Sequence, residues 1–217
     1  MGLNTGAVSV AAAHNHTCAL STEGRVYCWG DNTFGQIGDS TNTDRYMATQ
    51  VAGLGRRNRT IATGGYSSCA INRRGRLFCW GSNGNGQLGD GTSTHANLPV
   101  RALTPLGMTE ITMGADHVGH AYACALNRNR RAYCWGDNDY GQLGDGTATD
   151  RSVPTPVTRL GAGVSQIAAA SVSTHTCAIN RIGRLLCWGS NRRGELGIGT
   201  EVTTSTPART HGRLHRR

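Results

Sequence analysis

Paired cysteines are the feature of this chain best suited to chemistry. All eight cysteines fall into pairs whose members stand ten positions apart: Cys18 and Cys28, Cys69 and Cys79, Cys124 and Cys134, and Cys177 and Cys187. Paired thiols can bind zinc or form disulfides, but zinc sites favour short Cys-x2-4-Cys spacings, which argues against zinc here. Two interpretations stay open at this point: four disulfides, or small buried thiols that pack like other apolar residues.

A second candidate group precedes Cys124 in the segment GADHVGHAYAC. It contains Asp116, His117 and His120, and an aspartate beside a His-x-x-His pair can bind a metal. No further ligand stands at a predictable place in the sequence. We therefore interpret these three residues as a candidate functional loop that is not a metal site, and we expect neither a metal nor a cofactor.

Catalytic motifs are otherwise missing from the sequence. All 22 basic residues are arginine, so the chain has no lysine for a Schiff base or for a phosphate-binding P-loop. It contains no Gly-x-Ser-x-Gly nucleophile elbow and no His-Glu-x-x-His zinc motif, and its carboxylates form no evident catalytic pair. The sequence therefore predicts a protein that is not an enzyme.

The cysteines belong to an internal repeat. The tripeptide Cys-Trp-Gly begins at Cys28, Cys79, Cys134 and Cys187, at intervals of 51, 55 and 53 residues, and it contains all four tryptophans. A polar loop follows each copy: DNTFGQIGD, SNGNGQLGDGT, DNDYGQLGDGT and SNRRGELGIGT. A repeat of about fifty residues indicates similar supersecondary units stacked side by side.

Turn residues and alternation predict the structure of one unit. Residues 18–21 and 25–29 alternate small or apolar with polar residues, and Gly24 closes a three-residue turn between them. Glycine recurs at this turn position in the second and fourth units, whereas the third has Arg130, so we expect Asn129 to supply the positive φ there. With one strand before this hairpin and a weaker one after it, each unit matches a propeller blade.

The hairpin register also bears on the cysteines. It places the two members of each pair directly opposite one another, at a Cα separation of about 4.5 to 5.5 Å that a disulfide accepts. No unit has lost one cysteine while keeping the other, so we prefer disulfides over packed thiols. Disulfides would indicate an extracytoplasmic compartment and free thiols the cytoplasm; the printed sequence shows no signal peptide.

The repeat resembles that of the RCC1 (regulator of chromosome condensation) family, whose units read approximately IAAGxxHTCALxxxGxVYCWGxNxxGQLGxG. The resemblance covers residues 8 to about 207 and implies an all-β fold, a β-propeller that usually has seven blades. This chain has four units, at about 8–52, 53–106, 107–160 and 161–207, within a single domain (1–207) followed by a basic tail (208–217). Three arrangements stay open: a partial ring of a longer protein, a ring completed head to tail by a second chain, or a strained ring of four blades.

The two ends of the chain look like complementary halves of one unit. The segment GAVSVAAAH near the start matches residues 163–170, and TPARTHGRL near the end matches residues 155–161. We therefore expect that the first strand can complete the last blade, which would hide exposed strand edges.

Because equivalent positions of stacked blades lie on one face, the repeat predicts where the arginines lie on the surface. The turns between paired cysteines carry a single acid, Glu23, and nine rim arginines: Arg25, Arg73, Arg74, Arg76, Arg128, Arg130, Arg131, Arg181 and Arg184. The loops after Trp-Gly, in contrast, are mainly acidic. A guanidinium-rich rim suits carboxylate or phosphate groups on a partner, which it can bind in bidentate geometry.

We interpret the chain as a non-enzymatic recognition module for a protein partner whose identity the sequence does not reveal. Contact with a polyanion or a nucleic-acid backbone is compatible with the net charge of +9, although aromatic residues make up only 6% and offer no base-stacking platform. We expect no membrane association. The resemblance implies two alternatives: guanine-nucleotide exchange on a small GTPase with chromatin association, and a secreted propeller that inhibits or docks onto an enzyme.

Overall fold

The computed structural model describes residue 3 and residues 6–160, 163–171 and 174–211. This part of the chain forms sixteen strands and no helix, which confirms the all-β fold class. The strands form four antiparallel sheets of four strands each, and within every sheet the strands are neighbours in chain order. We call these sheets blades 1 to 4.

The strand bounds are as follows. Blade 1 contains β1 (Ala7–Ala12), β2 (His16–Ser21), β3 (Val26–Gly30) and β4 (Arg45–Gln50). Blade 2 contains β5 (Asn58–Gly64), β6 (Ser67–Asn72), β7 (Leu77–Gly81) and β8 (Ala96–Arg101). Blade 3 contains β9 (Met108–Ala115), β10 (Ala121–Asn127), β11 (Ala132–Gly136) and β12 (Arg151–Pro156). Blade 4 contains β13 (Val164–Ala169), β14 (His175–Asn180), β15 (Leu185–Gly189) and β16 (Thr204–Arg209).

The central hairpin of each blade has the predicted register. Cys18 pairs with Cys28 across β2 and β3, and the other three cysteine pairs face each other in the same way. All four pairs are disulfides with a Cα separation of 4.1 Å. The preference for disulfides over packed thiols is therefore confirmed.

The turn of the third blade corrects one expectation. Gly24 has a φ of 77°, as the left-handed turn position requires, and in blade 3 Arg130 itself takes a φ of 59°. The expectation that Asn129 would supply the positive φ is therefore wrong. The turn keeps its length and register, so the position in the turn determines which residue takes a positive φ, even though Asn129 would adopt that conformation more easily than Arg130.

Neighbouring blades enclose apolar layers that form the core. Between blades 2 and 3 this layer contains Leu77, Met108, Met113 and Trp135, all buried. Similar layers lie between blades 1 and 2 and between blades 3 and 4. The first strands of the blades contact one another in chain order, which places them along the inner side of the assembly.

The four blades form an open arc. No extended contact joins β1 to β13, and Val8 and Val10 on β1 are 61% and 68% exposed. At the other end Leu185 is 41% exposed, whereas its counterparts Val26 and Leu77 are buried. A strained ring closed by four blades alone is therefore not the arrangement seen.

The ends of the chain do not share a blade. The first strand, β1, pairs with β2, and β16 pairs with β15, so blades 1 and 4 are each built from four consecutive strands. The expectation that the first strand completes the last blade is wrong, because β1 already has its hydrogen-bonding partner within blade 1. Of the predicted basic tail, Ala208 and Arg209 belong to β16, and residues 212–217 lie outside the described residues.

Among the described residues, no helix is long and apolar enough to cross a membrane.

Candidate functional site

Because neighbouring strands run in opposite directions, the connections between the strands of a blade lie at two opposite ends of its sheet. In an antiparallel sheet of consecutive strands, the turn between the second and third strands lies at one end, together with the linker to the next blade. We call this end the turn face. The connections between the first and second strands and between the third and fourth strands lie at the other end, which we call the loop face.

All nine rim arginines lie on the turn face. They occupy the turns at residues 22–25, 73–76, 128–131 and 181–184, between the second and third strand of each blade. Arg25 is half-buried and the other eight are exposed. The structure thus places the rim arginines at one end of the four blades.

A polar side chain at the end of the preceding strand holds each turn. The Oδ1 atom of Asn72 accepts the backbone N–H groups of Arg74 and Arg76, both at 3.0 Å. Asn127 accepts the N–H of Arg131 at 3.0 Å, and equivalent bonds form at Asn180 and Ser21. These caps fix the backbone from which the arginine side chains project.

The linker between blades 1 and 2 adds two arginines that the sequence analysis missed. Arg56 and Arg57 are exposed, and the linker is held against the turns because Arg73 donates its N–H to the Arg57 carbonyl at 2.7 Å. Asn58 Nδ2 also donates to the Gly24 carbonyl at 2.9 Å. The run RRNR at 56–59 was the available signal, but it lies outside the turns between paired cysteines.

Acidic residues offset little of this charge. Among the described residues, the turn face carries Glu23, which lies 3.3 Å from Arg25, and Glu110 at the start of β9. Burial raises the pKa of Glu110, although a hydrogen bond from Ile167 and the charge of Arg130 oppose it. The turn face is therefore strongly positive.

The loop face is predominantly acidic, and two of its carboxylates are paired with arginine. Asp39 lies 2.5 Å from Arg45, and Asp145 lies 2.8 Å from Arg151. Burial opposes ionisation of both carboxylates, but hydrogen bonds from threonine and arginine outweigh it, so the pKa of each lies below its ordinary value. Arg45 and Arg151 on this face are thus largely neutralised, whereas Arg25 is the one rim arginine with an acidic partner among the described residues.

The candidate functional loop is a closed turn on the loop face. Asp116 accepts the backbone N–H groups of Val118 and His120 at 2.9 Å, and its second oxygen lies 3.1 Å from His120 Nδ1. His117 is exposed. Asp116 therefore shapes the loop, and the only group of three metal-ligating side chains among the described residues does not include Asp116, His117 or His120.

Four blades of this topology, each with a Cys-Trp-Gly strand, match an established family model. The model, described as the RCC1-like domain, covers residues 2–216. The chain belongs to the RCC1-like family. This RCC1-like domain is 30% identical over 200 residues to the ultraviolet-B receptor UVR8 of Arabidopsis thaliana, a match that covers 91% of the chain and 44% of UVR8. It is 29% identical over 208 residues to the human E3 ubiquitin-protein ligase HERC2, covering 94% of the chain and 4% of HERC2.

Solved structures show the same fold. Human WBSCR16 superposes with a TM-score of 0.84 at 29% identity, covering 98% of this chain and 55% of WBSCR16. Prp20p of Saccharomyces cerevisiae superposes with a TM-score of 0.83 at 22% identity, covering 99% of this chain and 52% of Prp20p. The RCC1-like domain therefore spans about half the length of these structural relatives, as an open arc of blades does.

Proposed function

We propose that this RCC1-like domain is a non-enzymatic recognition module whose turn face binds an acidic surface on a partner protein. The observation that carries the proposal is the separation of charge: the exposed rim arginines lie at one end of the blades and the acidic loops at the other. A field with this polarity orients an acidic partner toward the turn face before contact and accelerates its association.

The geometry of the turn face favours carboxylate groups as the ligands. Arginine offers a planar fork of donors that matches a carboxylate, and the capped turns hold several forks on fixed backbone. The turns of blades 2 and 3 each carry three arginines in four residues, but the turn of blade 2 also has Arg56 and Arg57 of the linker beside it, because Arg73 donates its N–H to the Arg57 carbonyl. We expect this turn of blade 2 to contribute most to binding.

A protein partner fits the turn face better than a nucleic acid. The large apolar side chains exposed between the rim arginines are aliphatic: Leu106 is 71% exposed and Ile182 is 70% exposed. Aliphatic residues among charges are typical of protein interfaces, whereas single-stranded nucleic acid is usually bound by aromatic platforms.

Nucleotide exchange on a small GTPase is not favoured over this proposal. The structure of Prp20p is described with its binding to Gsp1p and histones, but at 22% identity the likeness to this chain extends to the fold alone. No residue of this chain can be assigned an exchange role by that likeness.

The experiment measures binding of a fluorescent polyglutamate peptide by anisotropy over a salt series. We expect Arg73→Gln, Arg74→Gln and Arg76→Gln together to weaken binding about tenfold, since three exposed ion pairs at about 0.5 kcal/mol each contribute about 1.5 kcal/mol. Arg192→Gln with Arg193→Gln, which removes two positive charges from the loop face, is the control and should change affinity less than twofold. Equal losses in the two variants, or tighter binding of duplex DNA than of the peptide, would refute the proposal.

We propose in addition that the domain works in an oxidising compartment. The support is that all eight cysteines are paired in disulfides across equivalent hairpins. Thiol titration of denatured, unreduced protein purified from its source should find no free thiol. Eight titratable thiols would instead indicate a reducing compartment.

A further inference from the structure

The loop after β11 in blade 3 brings three carboxylates together on the loop face. Asp137, Asp139 and Asp150 each offer one oxygen, and these oxygens all lie within 4.8 Å of one another. Asp137 is buried, and the other two are exposed. Such a cluster is not by itself a site, because acidic residues often gather on surfaces without a ligand.

The other blades show what these positions do without a cluster. In blade 1 the equivalent residues are Asp31, Thr33 and Asp44, and Thr33 donates both its N–H (3.0 Å) and its hydroxyl (2.6 Å) to Asp31 Oδ1. Blades 2 and 4 have serine at the first position and so have no carboxylate to satisfy. Blade 3 is the only unit with an acid at all three positions.

Replacement of that threonine by Asp139 leaves an oxygen of Asp137 without a donor. Asp137 is only 2% exposed, its Oδ2 atom accepts a hydrogen bond from Gln142, and its Oδ1 atom is buried without a partner among the described residues. By comparison with Asp31, this Oδ1 atom faces the side on which Asp139 stands. A buried carboxylate oxygen without a partner is unfavourable unless a ligand satisfies it.

Burial and the neighbouring carboxylates make Asp137 a weaker acid. Burial, followed by the charges of Asp150 and Asp139, raises the pKa of Asp137 to about 6, and Asp116 acts in the same direction. His120 is the neighbouring group that opposes this effect.

The position of Asp150 is fixed by two blades. Its Oδ1 atom accepts the N–H of Asn138 at 2.8 Å, and its Oδ2 atom accepts a hydrogen bond from Asn85 of blade 2 at 3.0 Å. Each oxygen keeps a lone pair for a further ligand. The cluster thus lies at the joint between blades 2 and 3, where a bound ion would also hold the joint together.

We propose that Asp137, Asp139 and Asp150 bind a calcium ion. The donors are all carboxylate oxygens, which hard divalent cations prefer over the nitrogen and sulfur ligands of zinc sites. Oxygens bound to one Ca²⁺ at 2.3–2.6 Å can lie up to about 5 Å apart, which accommodates the observed spread better than the shorter Mg²⁺ bonds do. Water would complete the coordination on the exposed side.

The test is calorimetric titration of the metal-free full chain with CaCl₂, together with thermal unfolding in calcium or EDTA. We expect one calcium per chain with a dissociation constant of about 10⁻⁴ to 10⁻³ M, as in extracellular modules, and a higher melting temperature in calcium. Titration with MgCl₂ should show at least tenfold weaker binding.

Two variants make the result specific. Asp139→Thr recreates the arrangement of blade 1, so it should fold, weaken calcium binding at least tenfold and raise the melting temperature in EDTA. Asp44→Asn removes one negative charge from the equivalent loop of blade 1 and should leave calcium affinity within twofold of the wild type. The proposal is overturned if the wild-type protein shows neither heat nor stabilisation with calcium, if Asp139→Thr binds calcium as well as wild type, or if magnesium binds as tightly as calcium.

Discussion

The joints between blades depend on an indole hydrogen bond whose importance should differ from joint to joint. A fully buried tryptophan of one blade donates its Nε1–H, at 2.9 Å in each case, to a glutamine carbonyl in the loop of the preceding blade. The three donor and acceptor pairs are Trp80 with Gln36, Trp135 with Gln87, and Trp188 with Gln142.

Two of these carbonyls have a second donor, and one does not. The Gln36 carbonyl also accepts from the Ser68 hydroxyl at 3.0 Å, and the Gln142 carbonyl accepts from the Thr176 hydroxyl at 2.8 Å. Blade 3 has Ala123 at the corresponding position, so Trp135 is the only side-chain donor to the Gln87 carbonyl among the residues that the structure describes.

Replacement of each tryptophan by phenylalanine should therefore have unequal costs. At all three sites the smaller ring loses packing and one hydrogen bond, together about 2 kcal/mol. Only Trp135→Phe leaves a buried carbonyl without a side-chain donor, which adds about 1–2 kcal/mol. We expect the free energy of unfolding to fall by about 2 kcal/mol for Trp80→Phe and Trp188→Phe and by about 3–4 kcal/mol for Trp135→Phe.

Urea unfolding followed by circular dichroism, with the disulfides intact, measures these differences without relying on tryptophan fluorescence. Trp29→Phe is the matched control, because Trp29 is half-buried and makes no such bond among the described residues; it should cost less than 1 kcal/mol. Ala123→Ser should recover part of the loss in the Trp135→Phe background by restoring a donor. The reasoning is refuted if Trp135→Phe costs no more than Trp80→Phe, or if Ala123→Ser has the same effect with and without Trp135.

Three further predictions concern single features of the blades. Burial lowers the pKa of His16 to about 4, against the charge of Asp31, so on acidification the unfolded chain binds the proton before the folded chain does. Between pH 6.5 and pH 4 this difference should lower the free energy of unfolding of the wild type by about 3 kcal/mol, a loss that His16→Ser should abolish; urea unfolding across that pH range measures it. Arg130→Gly should raise the free energy of unfolding by about 0.5–1 kcal/mol, because it relieves a left-handed φ of 59°; thermal unfolding checks this, and a lower melting temperature would contradict it. Replacing Cys18 and Cys28 by alanine opens a loop with a sequence separation of 10 and should cost just under 3 kcal/mol in the chain-entropy description, whereas no change in the urea midpoint would show that the bond adds nothing to the packing of β2 and β3.

The features that the sequence predicted well are those determined within one hairpin. The short turn at Gly24 allows a single register, so it places Cys18 opposite Cys28. The same turn places Arg25 and its counterparts in the other units at the same end of the blades. The separation of the rim arginines from the acidic loops follows from that register. Local geometry and repetition together were enough to predict these features.

The features that the sequence did not reveal depend on side-chain partners across a loop or between blades. Asp139 and Asp150 stand eleven positions apart and meet only because the loop folds back, with Asn138 donating to the Thr147 and Thr149 carbonyls at 3.2 and 3.0 Å. The unpartnered oxygen of Asp137 depends on how the folded loop buries that side chain, which the sequence does not show. The sequence alone nevertheless shows that Asp139 of the third repeat replaces Thr33 of the first, so that a carboxylate stands where the first repeat has a hydrogen-bond donor.

The outer faces of blades 1 and 4 carry the same elements as the joints between blades, but neither has a partner blade among the described residues. Trp29 occupies the position of a joint tryptophan, but the described part of the chain contains no preceding blade to supply its carbonyl acceptor. At the opposite end, Gly194 stands where Gly141 packs on the backbone of Ser205, yet a side chain added at Gly194 would meet nothing within 4 Å. The two faces are therefore complementary to each other, and head-to-tail addition of blades would bury the apolar surface that β1 and Leu185 expose. Addition of a second copy stays a prediction, and because burial of both faces would favour association as concentration rises, a mass in solution that remains monomeric at high concentration would contradict it.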